Sequence, residues 1–177
     1  MTGPGAGSKG TETLGFQFLK GSTIILKNGT ITFDDPRLKM GIQNYSDLTL
    51  DNVKVSGGET IQYVVSNNFG NVIFKNKTSI TPTGNNVAFD VWYGMAAVYD
   101  DGVNVTIADP SVQVNGKVEF GKANRASAET FATNASLTIP EDMDLTMSIL
   151  TPPCEWSPSP GGFKTLRYVS NEEDTEE

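Results

Sequence analysis

Histidine is absent from this 177-residue chain, and cysteine occurs once, at Cys154. Ser-His-Asp and Cys-His catalysis and most zinc chemistry are thereby excluded, because each needs an imidazole as base or ligand. Cys154 stands in a Pro-rich segment without a partner for a disulfide and reads as a passive thiol. The remaining acid–base candidates are carboxylates. Asp34, Asp90, Asp100 and Asp109 would suit a glycosidase if two of them met at about 5–5.5 Å or 6.5–9.5 Å. The segment Phe89–Asp101 concentrates aromatic residues, with Trp92, Tyr93 and Tyr99 beside Asp100 and Asp101. Such rings stack on sugars or anchor interfaces. These five residues are therefore the candidate contact site for a glycan or a partner. The plainer reading turns Phe89 and Val91 inward, lets Trp92 and Tyr93 cover a loop, and makes Asp100-Asp101-Gly102 a turn.

The elements that must position these residues are set by a repeat. Asn28, Asn52 and Asn76 are 24 residues apart, each closing the pattern apolar, any, apolar, polar, Asn. The copies are Ile24–Asn28, Leu48–Asn52 and Val72–Asn76. Cutting at this period gives blocks 16–39, 40–63 and 64–87, whose sixteenth positions are Ile31, Val55 and Ser79. Val105-Thr106-Ile107-Ala108-Asp109 lies 33 residues further on and Leu137-Thr138-Ile139-Pro140-Glu141 a further 32, with the Asn position now acidic. Leu145-Thr146-Met147 reads as a last partial strand. Apolar residues alternate within each copy, the period of a half-buried strand. Ala123–Phe131 is the best helical pattern and would be a short excursion at most.

A period of 20–50 residues implies stacked units. Asn28-Gly29 alone would suit a hairpin turn, but Asn52 is followed by Val53 and Asn76 by Lys77, neither suited to positive φ. A stacked coil accounts for all three copies. Equivalent residues then pair in parallel, Asn28, Asn52 and Asn76 form a structural amide ladder, and apolar columns fill the interior. About five coils would make a column roughly 20–25 Å tall at ~4.8 Å per strand. Five Asn-X-Ser/Thr sequons begin at Asn28, Asn44, Asn76, Asn104 and Asn134, and composition explains them better than glycosylation. Asn28 and Asn76 are expected inside the stack, where no glycan fits.

Asp47–Gly57 and Gly70–Asn76 resemble the coils of right-handed parallel β-helix proteins, the pectate-lyase-like group. The resemblance spans about residues 14–145 and implies an all-β, right-handed parallel β-helix (β-solenoid). That group includes polysaccharide lyases and hydrolases, bacterial surface adhesins, and bacteriophage spikes and fibres; fold alone does not choose among them. Its lyases use clustered Asp to hold calcium and an Arg or Lys as base. The closest match here is Asp34-Asp35-Pro36-Arg37-Leu38-Lys39, which falls short of six to eight oxygen ligands and reads more simply as a turn.

Residues 1–13 are expected to be a flexible Gly-rich segment and 14–150 the β-helix domain. Residues 151–177 then form a Pro/Gly-rich extension with an acidic, disordered tail, in which Pro152, Pro153, Pro158 and Pro160 break any ladder and 163–169 supplies a closing strand. A net charge of −8 disfavours nucleic-acid binding. No stretch is apolar enough to span a membrane, and Met1–Gly10 lacks the apolar core of a signal peptide. No metal or cofactor is expected. The leading expectation is a non-enzymatic structural or attachment module of a bacteriophage virion (head fibre, capsid decoration or spike-like protein), forming homotrimers as phage spikes commonly do. The alternatives are a carbohydrate-binding or polysaccharide-degrading β-helix, or part of a secreted or surface-bound bacterial adhesin.

Overall fold

The computed structural model describes residues 14–91, 102–121, 135–150 and 154–168. These are all β, without a helix, and the chain alternates between two sheets. The first sheet is parallel throughout. It contains β1 (Leu14–Phe18), β3 (Met40–Asn44), β5 (Tyr63–Asn67), β8 (Val87–Val91), β11 (Lys117–Phe120) and β13 (Met147–Leu150), in that spatial order. The second sheet sets β2 (Thr23–Phe33), β4 (Asp47–Gly57), β6 (Gly70–Lys75), β9 (Val103–Ile107) and β12 (Ala135–Pro140) side by side in parallel. The short strands β7 (Ser79–Thr81) and β10 (Gln113–Val114) extend the second half of β4.

The sequence period is the pairing register. Leu26 pairs with Leu50 and Leu50 with Phe74; Ile24, Leu48 and Val72 do the same two residues earlier. After the 33-residue step, Val72 pairs with Val105 and Phe74 with Ile107, and Val105 then pairs with Leu137. Leu48, Leu50, Val72, Phe74, Val105, Ile107, Leu137 and Ile139 are at most 1% exposed. They face Ile42, Val65, Phe89 and Val91 of the first sheet, and the Phe74 and Phe89 ring centroids are 5.3 Å apart. Full burial of one such side chain stabilises the fold by roughly 1.5–3 kcal/mol. Phe33 fills the first blocks because β1 and β3 offer glycines beneath it. A Cβ on Gly15 would lie 2.4 Å from its ring, and one on Gly41 2.7 Å.

Several expectations need correction. Lys77 adopts positive φ (64°) directly after Asn76 (52°), so the third block gains a residue at its corner. Ile80 rather than Ser79 therefore continues the Val55 column. The prolines after Leu150 do not abolish pairing. β14 (Cys154–Ser159) and β15 (Phe163–Tyr168) form a hairpin, and β15 pairs antiparallel with β12, so the second sheet is mixed. Pro158 is tolerated because β14 is the outermost strand, where a missing N–H removes no ladder bond. The expected helical excursion at 123–131 lies outside the described residues, as does the acidic tail.

Replacing Phe74, which is fully buried between the sheets, with Ala should destabilise the protein by about 3–5 kcal/mol, whereas Lys54→Ala on the outer face should stay within about 0.5 kcal/mol. Urea unfolding midpoints compared at constant slope would check both.

Candidate functional site

The repeated asparagines form an outer corner of the second sheet. Asn28, Asn52 and Asn76 have φ of 56°, 54° and 52°. Asn is the side chain that tolerates this left-handed conformation best after Gly, so each bends its strand where the sequence repeats. All three are exposed, which corrects their expected burial. The ladder is also shorter than expected. Asn52 Nδ2 donates to Asn28 Oδ1 at 3.1 Å, but Asn76 Nδ2 donates to Asp51 Oδ1 at 2.9 Å. At the next level Asp109 takes over, accepting from Asn76 N at 2.8 Å and from Ser111 N at 2.9 Å. Partial burial pushes the Asp109 carboxyl up. Hydrogen bonds from Asn76 N–H and from the Ser111 hydroxyl and N–H, with Lys75 nearby, outweigh that and hold it below its ordinary value.

A second asparagine pair is buried at the corner leading from the first sheet into the second. Asn44 and Asn67 are 0% exposed, paired in register, and joined by Asn44 Nδ2 to Asn67 Oδ1 at 3.0 Å. Asn44 Nδ2 also reaches Ser46 O at 2.9 Å, and Asn67 Nδ2 reaches Gly70 O and Asn104 O at 3.1 and 3.0 Å. These amides satisfy backbone carbonyls of the turning chain that would otherwise be buried unpaired. The pair escaped the sequence reading because its spacing is 23 rather than 24. The extra corner residue in Asn68-Phe69-Gly70 restores the period, and Gly70 (φ 78°) passes close to Ser46, whose carbonyl oxygen would lie 2.4 Å from any added Cβ.

Of the carboxylates considered for catalysis, Asp34 lies in the turn after β2, Asp90 on β8 and Asp109 after β9, each on a different element. Asp90 instead pairs in register with Glu119 on the outer side of the first sheet. Ser66 Oγ donates to Asp90 at 2.6 Å and Tyr63 Oη to Glu119 at 2.8 Å. Burial raises the Tyr63 phenol well above its ordinary value, reinforced by its bond to Glu119 and the charges of Glu119 and Asp90. Neighbouring strands place these two carboxylates side by side, but Asp90 is 1% and Glu119 6% exposed. A sugar ring has no access to them in this conformation.

The lyase-like segment is likewise self-contained. Asp35 receives Arg37 N, Nε and a terminal guanidinium nitrogen at 2.9, 2.9 and 2.7 Å. Hydrogen bonding to Asp35 raises the Arg37 guanidinium further, the opposite of what a general base requires. Among the described residues no three His, Cys, Asp or Glu side chains group as metal ligands. Burial also pushes the Cys154 thiol up to about 11, away from nucleophilic character.

The accessible chemistry lies at the corner between β1 and β2, β3 and β4, and β5 and β6. An open groove of about 530 Å³ is lined by Lys20, Ser22, Tyr45, Asp47, Phe69 and Asn71. Lys20 Nζ stands 5.2 Å above the Phe69 ring. From the groove a hydrogen-bonded row crosses four strands. Ser136 Oγ donates to Asn104 (2.5 Å), Asn104 Nδ2 to Asn71 (3.2 Å), and Asn71 Nδ2 to Asp47 (2.7 Å). Sequence reasoning passed over it because Asp47, Asn71 and Asn104 stand at the starts of copies chosen for their apolar residues. The expected contact residues Trp92, Tyr93, Tyr99, Asp100 and Asp101 lie outside the described residues; of their segment, Phe89 and Val91 are buried inward, as the plainer reading had it.

No protein-family model, no curated protein and no solved structure matches the chain.

Asn67→Leu, which removes the bond from Asn44 Nδ2 and the two bonds that Asn67 Nδ2 gives to the Gly70 and Asn104 carbonyls, should cost about 1–3 kcal/mol in urea unfolding. The depressed Asp109 carboxyl gives a signed pH effect. The unfolded chain binds its proton more readily, so this contribution is complete above the ordinary carboxylate range and fades as pH falls below about 4. Asp109→Asn should therefore flatten that part of the acid limb in unfolding midpoints measured against pH.

Proposed function

We propose that the chain is a right-handed parallel β-helix module with a non-enzymatic structural or attachment role, working as a bacteriophage virion component such as a head fibre, capsid decoration or spike-like protein. The carrying observation is the in-register parallel pairing of like residues, with the chain alternating between two sheets as a coil requires. The closed Asp90–Glu119 pair and the self-satisfied Asp35–Arg37 pair support a non-enzymatic role. Placement in a virion rests on the resemblance of the repeat to phage spikes and fibres, and the same resemblance suggests homotrimers and a capsid or other virion partner.

A second reading, a carbohydrate-binding surface, is favoured by the groove beside Tyr45 and Lys20. Its aromatic and cationic lining, continued by the row from Asp47 to Ser136, offers a ring face and alternating donors and acceptors to an extended saccharide.

The full chain should sediment as three copies, or a multiple of three, and bind particles lacking it. A monomer without particle association would overturn the virion reading. Glycan-array binding abolished by Tyr45→Ala and Lys20→Ala would establish the second reading, and depolymerisation of a polysaccharide, with or without calcium, would overturn the non-enzymatic one.

A further inference from the structure

The two ends of the second sheet are finished differently. At one end the β14–β15 hairpin covers β12, and its outer strand carries Pro158 and Glu155, features that discourage further pairing. At the other end β2 pairs with β4 and has no second neighbour among the described residues. The apolar columns stop there half-buried, at Phe16, Phe18, Ile24, Leu26 and Ile31. Among the described residues the large apolar side chains that stand exposed, Leu19 (61%) and Ile25 (60%), both belong to this end.

The backbone of this edge is poised to pair. Asp47 N donates to Ser22 O at 3.0 Å, so by strand alternation Ser22, Ile24 and Leu26 turn their polar groups toward β4. Thr23, Ile25 and Lys27 then present N–H and C=O outward. We propose that this edge is a homotypic interface, in which Thr23–Lys27 of one molecule pairs antiparallel with the same segment of a second copy about a two-fold axis at Ile25.

The occupant is specified by several observations. The segment is self-complementary. With Ile25 opposite Ile25 of the second copy, Ile24 meets Leu26 and Lys27 meets Thr23, so no like charges face each other across the axis, and about six backbone hydrogen bonds form. Charge permits the approach. The molecule carries −8 overall, yet residues 14–33 contain two lysines and no acid. Lys27 is 3.8 Å from Asp51, and Lys20 rests over Phe69. The chain's own ends are poor substitutes, since 1–13 has Met1 as its one large apolar residue and 169–177 is acidic. The size is sufficient. At ~3.3 Å per residue and ~10 Å of side-chain depth, β1 and β2 offer on the order of 500 Å² per copy, so two copies bury roughly 1,000 Å², the lower bound for a specific interface. The pairing runs end to end and leaves the flanks free for three-fold association.

Sedimentation velocity of the full chain over a concentration series tests this. The expected result is an even-numbered assembly, dimer or hexamer, that Ile25→Lys halves to monomer or trimer, weakening association about tenfold or more. Far-UV circular dichroism should be unchanged, because Ile25 is already exposed. Thr49→Lys, one strand inward on the same outer face, should leave the assembly intact. The β2 amides of Thr23, Ile25 and Lys27 should exchange hydrogen more slowly as concentration rises. A wild-type monomer, an odd-numbered assembly that Ile25→Lys does not alter, or equal disruption by Thr49→Lys would each overturn the proposal. An unaltered trimer would do so while leaving the virion reading standing.

Discussion

When strands pair in parallel at a constant offset, each side chain stands over its counterpart, so each position must suit a copy of itself about 4.8 Å away. Apolar residues meet this requirement readily, and the interior columns from Leu48 to Leu137 are apolar at every level. Charges do not, because like charges in adjacent strands repel. The charged column here alternates. Asp51 lies between Lys27 and Lys75, at 3.8 and 4.0 Å. These exposed pairs contribute little stability, roughly 0–1 kcal/mol each; what they supply is the absence of repulsion in a register fixed by the core. Amides are the polar groups best suited to stacking, since each carries both donor and acceptor.

That property explains why asparagine marks both kinds of corner, with different physics at each. At the outer corner Asn28, Asn52 and Asn76 are selected by backbone conformation, and their side chains bond whatever the next level offers: Asn28 for Asn52, Asp51 for Asn76. At the inner corner Asn44 and Asn67 are selected by their side chains, which replace water for turning carbonyls in a region closed to solvent. The inner pair ends where its column reaches Val91, and the outer one turns acidic at Asp109. The outer change coincides with departure from the 24-residue step, whereas Val91 follows Asn67 at that step and simply carries an apolar side chain.

How much of this was legible follows from the same distinction. The strands, their alternation and the pairing of the first three blocks were readable, because burial on one face imposes a period that composition cannot hide. The exposure of the outer asparagines was not, since a repeated polar residue looks alike whether it lines a buried ladder or bends a strand. Lys77 at positive φ was missed because propensity disfavours it; tertiary pairing on either side of the corner, Phe74 with Ile107 and Ile80 with Val55, overrides that preference. Asn44 and Asn67 were hidden by a spacing one residue short. The Asp90–Glu119 pairing required the register of β8 with β11, across a length change that no repeat predicts.

The same constraint bears on where such a molecule can recognise anything. Its interior is filled, and its best-paired carboxylates are closed off by their surroundings. Among the described residues, what a ligand or partner can read is therefore the outer columns or the β2 end. The outer columns are already hydrogen-bonded along their length, as in the row from Asp47 to Ser136. A partner meeting that row encounters groups held in position before it arrives, so less conformational entropy is lost on contact than with freely rotating side chains. The β2 edge is different, because among the described residues no strand pairs with its outward backbone groups. Side-chain recognition along the flank and backbone pairing at the end are thus separable on this scaffold, and each can change without disturbing the core that fixes both.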